Sequence, residues 1–195
     1  KLINNTRYFF LVFFLIGAAS SYISKSGSPT WAGILFTCSI YFTVAIVNQV
    51  YINKKILSKK LIYISATIEI LLVFLLKFFM SFNPEVGYGL AIKEPATYLV
   101  YFLFLILIAL RYDKKLNIYA GFLAISSYIL LLTLALTIGE LQPTRDVAKF
   151  FQKDTIRFAS EGPKVFFLVL FIFFISKMTR FTNENVKKLE NAEQS

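Results

Sequence analysis

Apolar runs long enough to cross a lipid bilayer recur along the whole chain. A membrane-spanning helix needs about 20 mostly apolar residues. Six segments meet or approach that length: about 8–24, 31–52, 61–82, 96–111, 116–138 and 163–178. Hydrophobic residues make up 57% of the 195 residues, which is more than a soluble domain carries. The sequence therefore predicts an all-α fold, an integral membrane bundle of six transmembrane helices.

The residue types of the chain exclude several kinds of chemistry. The chain has no His, so Ser–His and Cys–His catalysis and most zinc and iron sites are excluded. Its single Cys, Cys38, provides neither a disulfide within the chain nor the paired thiolates of structural zinc. We therefore expect no catalytic residue, cofactor or metal site in this chain, and an integral-membrane enzyme is disfavoured.

Lys and Arg residues are unevenly divided between the predicted loops. The two termini and the loops "NKKILSKK" (53–60) and "RYDKK" (111–115) hold thirteen of the 21 Lys and Arg residues, whereas the opposite loops hold seven. Loops rich in Lys and Arg stay on the cytoplasmic side of a membrane. The sequence thus predicts two cytoplasmic termini. Because the basic residues lie between apolar runs rather than in one patch, we expect a lipid bilayer as partner and no nucleic acid.

The longest loop on the opposite side covers residues 139–164. On a helical projection its apolar residues fall near one face: Val147, Phe150, Phe151 and Phe158. This pattern favours an amphipathic helix lying among the lipid headgroups. The alternative is a lid over a pocket in the bundle.

Glu69 interrupts the apolar run "IYISATIEILLVFLLKFFM" (62–80) near the middle of the bilayer, nine residues beyond Lys60. An ionised acid facing lipid costs at least a few kcal/mol, so we expect Glu69 to face the bundle interior, paired or protonated. Lys77 is about 12 Å further along the helix, so we expect it to extend to the nearer membrane surface instead. Polar groups at comparable depth are the candidate partners of Glu69: Thr37, Ser39, Thr43, Ser126, Ser127 and Tyr128.

Two roles for Glu69 remain open. A single hydrogen bond between helices would fix their packing and contribute about 1 kcal/mol. The second role is the sensing of a proton, a cation or a ligand. In both cases Glu69 is the candidate intramembrane polar site of the chain.

A helical pattern continues past the sixth apolar run. Spacings of three and four residues produce a heptad seam: Ile175, Met178, Thr182, Asn185, Leu189 and Ala192. Thr182 and Asn185 are polar, and polar residues at such positions weaken the contact between two helices. We expect residues 1–176 to form the membrane domain, residues 177–195 to begin a cytoplasmic signalling helix or coiled coil, and a further domain to follow.

The segment "YLVYFLFLILIALRYDKKLNIYAGFLAISSYILLL" (98–132) resembles part of a known family. A Tyr-rich span ends in a Leu-Arg-x-Asp turn and is followed by a helix with an early Gly and small residues. The positions are Tyr98, Tyr101, Leu110, Arg111, Asp113, Gly121 and Ala124. In these features the chain resembles the N-terminal six-helix membrane domain of bacterial, spirochaete-type class III adenylate/guanylate cyclases.

The resemblance implies a membrane anchor with dimerising and sensory functions in a larger signalling protein of the bacterial inner membrane. It implies a homodimer, because class III catalytic sites form between two cyclase domains. Small residues that permit close helix approach, such as Gly17 or Gly121, are candidates for the dimer contact. The catalytic domain, a lyase needing a divalent metal and a nucleoside triphosphate, is not part of this chain. A small ligand or a lipid is the expected signal.

The alternative is a substrate-binding membrane subunit of a vitamin-type transporter, which also has about six helices. Such a subunit needs a polar pocket near the outer surface, which the 139–164 loop could cover. The basic loops and the long polar helix after residue 176 argue against this reading.

Overall fold

Seven α-helices form most of the computed structural model, which describes residues 2–23, 29–54, 56, 58–83 and 86–193. The helices are α1 (Leu2–Ile23), α2 (Pro29–Asn53), α3 (Lys59–Ser81), α4 (Gly87–Lys93), α5 (Pro95–Ala109), α6 (Lys114–Thr137) and α7 (Phe158–Glu193). Two strands of two residues each, β1 (Gln142–Pro143) and β2 (Thr155–Ile156), lie between α6 and α7. The predicted all-α class is confirmed.

Among the described residues, four helices are long and apolar enough to cross a membrane, namely α2, α3, α6 and α7. Helix α4 and the Thr97–Ala109 part of α5 form a fifth candidate span, bent by 47° at their junction. These are the helices of a multi-pass membrane protein. Helix α1 covers the first predicted span, whose crossing of the membrane stays a prediction. Residue 24, the predicted end of that span, lies outside the described residues.

Side-chain caps fix where two of the long helices begin. Before α3, Ser58 Oγ accepts a hydrogen bond from the Leu61 N–H (3.2 Å). Before α6, Asp113 Oδ1 accepts from the N–H groups of Lys115 and Leu116 (2.9 and 3.2 Å). Such caps satisfy N–H groups that have no partner inside the helix. Helix α5 ends at Ala109, two residues earlier than predicted, and a short turn connects it to α6.

The main core lies around α3, α5 and α6. Its fully buried residues come from all three helices and include Ile70, Leu105 and Ala124, with Leu168 of α7 packed against them. Gly121 of α6 lies against α7, since a Cβ atom there would be 2.4 Å from Ile172 Cγ1. The glycine therefore allows α6 and α7 of one chain to approach closely. The predicted dimer contact through Gly121 or Gly17 stays a prediction; Gly121 packs against its own chain, whereas Gly17 of α1 has open space around it.

The 139–164 segment does not form the predicted amphipathic helix. Strands β1 and β2 pair in parallel, with Gln142 opposite Thr155. Between them the chain makes only a short 3-10 helix at Ala148–Phe151. Val147, a residue of the predicted apolar face, is exposed, and Phe158 already begins α7. The pairing of β1 with β2 replaces the helical hydrogen bonds that the pattern predicted.

Helix α7 is one continuous element of 36 residues that includes Pro163. At 1.5 Å per residue it is about 54 Å long, compared with about 30 Å for a hydrocarbon layer. The polar segment after residue 176 continues the same helix, so no break separates the two predicted parts of the chain.

The six predicted seam positions all lie on α7: Ile175, Met178, Thr182, Asn185, Leu189 and Ala192. Ile175 packs in the core of its own chain, whereas the Met178 side chain is about half exposed. Thr182 and Asn185 are partly buried. Because its own chain covers Ile175, a contact with a second copy along this seam can begin only at Met178.

Candidate functional site: two buried charged clusters

Glu69 lies near the middle of α3, at the centre of a buried polar cluster whose two arginines approach it from one end of the bundle. The cluster, called the Glu69 cluster below, consists of Arg7, Asn48, Ser65, Glu69 and Arg111. Four of these side chains are buried, and Glu69 has no exposed surface. They come from α1, α2, α3 and the turn after α5, so the cluster joins four parts of the chain.

Ion pairs hold the carboxylate of Glu69. The Nε of Arg7 donates to Oε1 at 2.6 Å, and Nη2 of the same guanidinium lies 2.5 Å from that oxygen. The Arg111 Nη2 is 3.7 Å from Oε1. The hydroxyl of Ser65 also donates to Oε1 (3.2 Å) and accepts a hydrogen bond from Asn48 Nδ2 (3.1 Å). One carboxylate thus faces two guanidinium groups.

Two buried polar atoms of this region lack a hydrogen-bond partner among the described residues. They are Glu69 Oε2 and Tyr41 Oη. Tyr41 of α2 lies within electrostatic range of Glu69, Arg7 and Arg111. All contacts to the carboxylate converge on Oε1, so the region retains one acceptor and one donor that its own side chains do not use.

The prediction that Glu69 faces the bundle interior is confirmed, but its predicted partners are wrong. Hydroxyl groups at the same depth on other helices were expected, whereas Arg7 and Arg111 reach it from the ends of their segments. Sequence reasoning assigned both arginines to the membrane surface by their position in the chain. The length of the Arg side chain could have indicated these contacts, because an Arg at a membrane surface can reach more than one helical turn into the bundle.

A second cluster surrounds Lys77, which lies about two turns beyond Glu69 towards the C-terminal end of α3. The Lys77 cluster consists of Lys77, Tyr98, Tyr128, Glu161 and Lys164, from α3, α5, α6 and α7. Lys77 has no exposed surface and Glu161 is only 1% exposed.

Backbone carbonyl groups hold the ammonium group of Lys77. Its Nζ donates to the carbonyl oxygens of Ala91 (2.8 Å) and Glu94 (3.1 Å), with Ile92 O at 3.5 Å. The Lys164 Nζ also donates to Ile92 O (3.1 Å). These carbonyls lie where α4 ends and α5 begins, and helix ends leave such groups without internal partners. Lys77 and Lys164 therefore bind the carbonyl groups that the break between α4 and α5 leaves without partners. Positive charges are favourable at this place because the C-terminal end of a helix carries a partial negative charge.

Glu161 and two tyrosines complete the Lys77 cluster. The Lys164 Nζ contacts both carboxylate oxygens of Glu161, at 2.9 and 3.1 Å. The hydroxyl of Tyr128 donates to Glu161 Oε2, and that of Tyr98 donates to Lys164 O. The Lys164 ammonium also lies 5.8 Å from the centre of the Tyr98 ring and 6.0 Å from that of Tyr128. The first turns of α7 are thereby bound to both α5 and α6.

The expectation that Lys77 extends to the membrane surface is wrong, because carbonyl groups within the fold bind it instead. Sequence reasoning also missed Glu161 and Lys164, which it placed in a loop. The signal was present in "AIKEP" (91–95), where a Pro after a short helical stretch predicts a break with free carbonyls.

The residues of the family-like motif serve the two clusters and the packing around them. Tyr98 belongs to the Lys77 cluster, and Arg111 belongs to the Glu69 cluster. Tyr101 forms a hydrogen bond with Ser127 Oγ (3.0 Å). Asp113 caps α6, and Gly121 lies against α7. The motif thus marks structural positions at both ends of the bundle.

The chemistry available in the two clusters is electrostatic. Guanidinium, ammonium and carboxylate groups are paired in a water-poor interior, where a change in charge or ligand alters helix packing. Comparisons of the chain with protein-family models, with curated proteins and with solved structures find no match.

Proposed function

We propose that the chain is the membrane-embedded regulatory domain of a larger signalling protein, in which α7 transmits changes in packing from the Lys77 cluster to a following domain. The observation that carries this proposal is the continuity of α7. Its first turns supply Glu161 and Lys164 to the cluster. Its polar part extends past the α5–α6 turn, where Asn183 Nδ2 donates to Tyr112 O (2.9 Å). A continuous helix carries a displacement of one end to the other.

The proposed arrangement has six spans in the inner membrane of a bacterium, with both termini in the cytoplasm. Helix α1 provides the sixth span. The excess of Lys and Arg in the N-terminal, C-terminal, 53–60 and 111–115 segments supports this orientation. In it the Lys77 cluster lies in the outer half of the bundle, and the two arginines of the Glu69 cluster approach Glu69 from the cytoplasmic end.

We further propose a homodimer in which the α7 helices pair, with a class III cyclase as the output domain that the resemblance implies. That domain would bind the nucleoside triphosphate and the divalent metal. Exposed apolar side chains on the later turns of α7, such as Phe174, Met178 and Phe181, support a contact between helices. A helix pair with polar seam positions has two arrangements close in free energy, and a small ligand or a lipid that prefers one shifts the population.

The test of this proposal is cross-linking in native membranes, with Cys38 replaced by Ser. Met178→Cys should form a disulfide between two copies, whereas Ile175→Cys, which is buried in its own chain, should not. Replacing Glu161 with Gln should then change the cross-linking yield at position 178 and the cyclic-nucleotide output of the full-length protein. Absence of a cross-link at position 178, or an unchanged yield and output in the Glu161→Gln variant, would contradict the proposal.

One observation favours the alternative of a transporter subunit. A span broken between α4 and α5 is a feature that transporters use to bind substrates, because the break frees backbone groups. Here Lys77 and Lys164 bind the freed carbonyls of Ala91 and Ile92, so the chain itself fills the break. Co-purification with a transporter ATPase, in place of α7 cross-linking, would favour the alternative.

A further inference from the structure

A groove runs along the surface between α6 and α7, at the end of the bundle that holds the α5–α6 turn. Its volume is about 380 Å³. Helix α6 contributes its first two turns to the groove and α7 contributes Val169 to Arg180. Arg180 is eleven positions after Val169, so the groove extends about 16 Å along α7. This length is about half the thickness of a hydrocarbon layer.

Charged and apolar side chains occupy different ends of the groove. Lys114, Lys177 and Arg180 line the end next to the α5–α6 turn, and apolar residues, including Phe173 and Val169, line the rest. The Lys177 ammonium lies 5.6 Å from the centre of the Phe173 ring, where the two regions meet. Arg180 donates from Nε to Glu184, which leaves its other N–H donors, since a guanidinium has five.

A buried hydroxyl group lies between these two regions. Ser176 lines the groove and is 8% exposed. Its Oγ has no hydrogen-bond partner among the described residues. A buried hydroxyl without a partner carries an energetic cost that a polar group of a ligand can remove. Ser176 is therefore an independent indication of a ligand with a polar group at this depth.

We propose that this groove binds one anionic phospholipid. The phosphate contacts Lys114, Lys177 and Arg180, the Ser176 hydroxyl donates to an ester oxygen, and an acyl chain follows the groove past Phe173. Basic pockets between membrane helices recognise anionic headgroups in this way. A second copy of the chain fits less well, because a symmetric contact would bring two sets of three cations together.

The first experiment measures lipid binding by the purified full-length chain in detergent. Dioleoylphosphatidylglycerol and dioleoylphosphatidylcholine have the same acyl chains and differ in charge, so native mass spectrometry should show retention of the first in preference to the second. Each cation near an anionic headgroup contributes roughly a factor of five in affinity. The double variant Lys114→Gln, Lys177→Gln should therefore bind phosphatidylglycerol about 25-fold more weakly.

A matched control has the same loss of charge elsewhere. Lys59 and Lys60 are exposed at the start of α3, at the same end of the bundle, and the double variant Lys59→Gln, Lys60→Gln should bind phosphatidylglycerol like the unmodified chain. Val169→Trp, which fills the apolar end without changing a charge, should reduce retention as well. It provides the test if the Lys114→Gln, Lys177→Gln variant does not fold.

Four results would overturn the proposal. The first is equal retention of the two lipids, and the second is equal weakening in both Lys double variants. The third is competition by glycerol 3-phosphate as effective as that by the lipid, which would indicate a site for free anions. The fourth is a disulfide between two copies at Ile118→Cys in a Cys38→Ser background, which would indicate that a second chain covers the groove.

Discussion

The Glu69 cluster and the Lys77 cluster both contain a charged side chain with no exposed surface, but different groups balance the two charges. In the Glu69 cluster, two guanidinium groups face one carboxylate, with Arg7 Nε at 2.6 Å and Arg111 Nη2 at 3.7 Å from Oε1. In the Lys77 cluster, the ammonium of Lys77 has no carboxylate within ion-pair distance among the described residues. Carbonyl oxygens at a helix break bind it instead.

This difference shows two ways in which a membrane protein holds a charge away from water. An ion pair needs two side chains whose positions are fixed by separate elements, and removing one partner leaves the other charge uncompensated. At a helix break the backbone carbonyl groups bind the charge. These carbonyls stay in place when the lysine side chain is removed, and they lose only a hydrogen-bond donor. Loss of Glu69 is therefore expected to cost more stability than loss of Lys77.

The largest effect is expected for Glu69→Gln. This change leaves the guanidinium of Arg7, whose side chain is 3% exposed, without its anion. Removing one partner of a buried pair costs about 3–5 kcal/mol. We expect the free energy of unfolding to fall by about that amount, as measured by denaturant unfolding in detergent micelles.

The control is the double variant Arg7→Gln, Glu69→Gln. Removing both charges should restore most of the lost stability, because neutral side chains of similar size need no counter-charge. If the single and double variants are equally unstable, the effect arises from packing rather than from charge. A single Glu69→Gln variant as stable as the unmodified chain would show that the pair contributes little.

A smaller effect is expected for Lys77→Met. Ile92 O keeps its bond from Lys164 and Glu94 O keeps a contact with Thr97 Oγ1, so the carbonyl of Ala91 loses most. Hydrogen bonds to charged groups contribute about 1.5–3 kcal/mol, and we expect a loss of about 2 kcal/mol. Lys54→Met, at an exposed position, should leave unfolding unchanged. A Lys77→Met variant more stable than the unmodified chain would show that burying the ammonium costs more than its bonds return.

The sequence predicted the elements better than the contacts between them. Apolar runs indicate helices because any spanning segment must satisfy its own backbone groups, and the helical cores of the six predicted spans formed. The partners of Glu69 depend on which helices lie side by side, which a hydropathy pattern does not contain. Arg7 and Arg111 reach Glu69 only because α1 and the α5–α6 turn are brought next to α3.

Two errors have a local physical cause. The aromatic spacing in 144–158 favoured a helix, but pairing between β1 and β2, across eleven intervening residues, gave those backbone groups other partners. The role of Lys77 was missed because no helix was predicted before the 96–111 span, whereas α4 (Gly87–Lys93) precedes α5 and Pro95 separates the two. A break at that Pro creates the carbonyl ligands that Lys77 uses.

The smallest effects are expected for two tyrosine hydroxyls on the neighbouring helices α5 and α6. One hydroxyl bonds to a charged group and the other to a neutral group, so removing each compares the two kinds of hydrogen bond. Tyr128 donates to the carboxylate of Glu161, whereas Tyr101 bonds to the neutral hydroxyl of Ser127. Hydrogen bonds between membrane helices contribute about 0.6 kcal/mol on average and up to about 1.7. Tyr128→Phe should therefore lower the free energy of unfolding by about 1.5 kcal/mol and Tyr101→Phe by about 0.6.

Both variants keep the aromatic ring, so denaturant unfolding in the same detergent compares the hydroxyls alone. Equal losses would mean that Lys164 already satisfies Glu161, and that the charge of the Lys77 cluster adds nothing to the contact between α6 and α7.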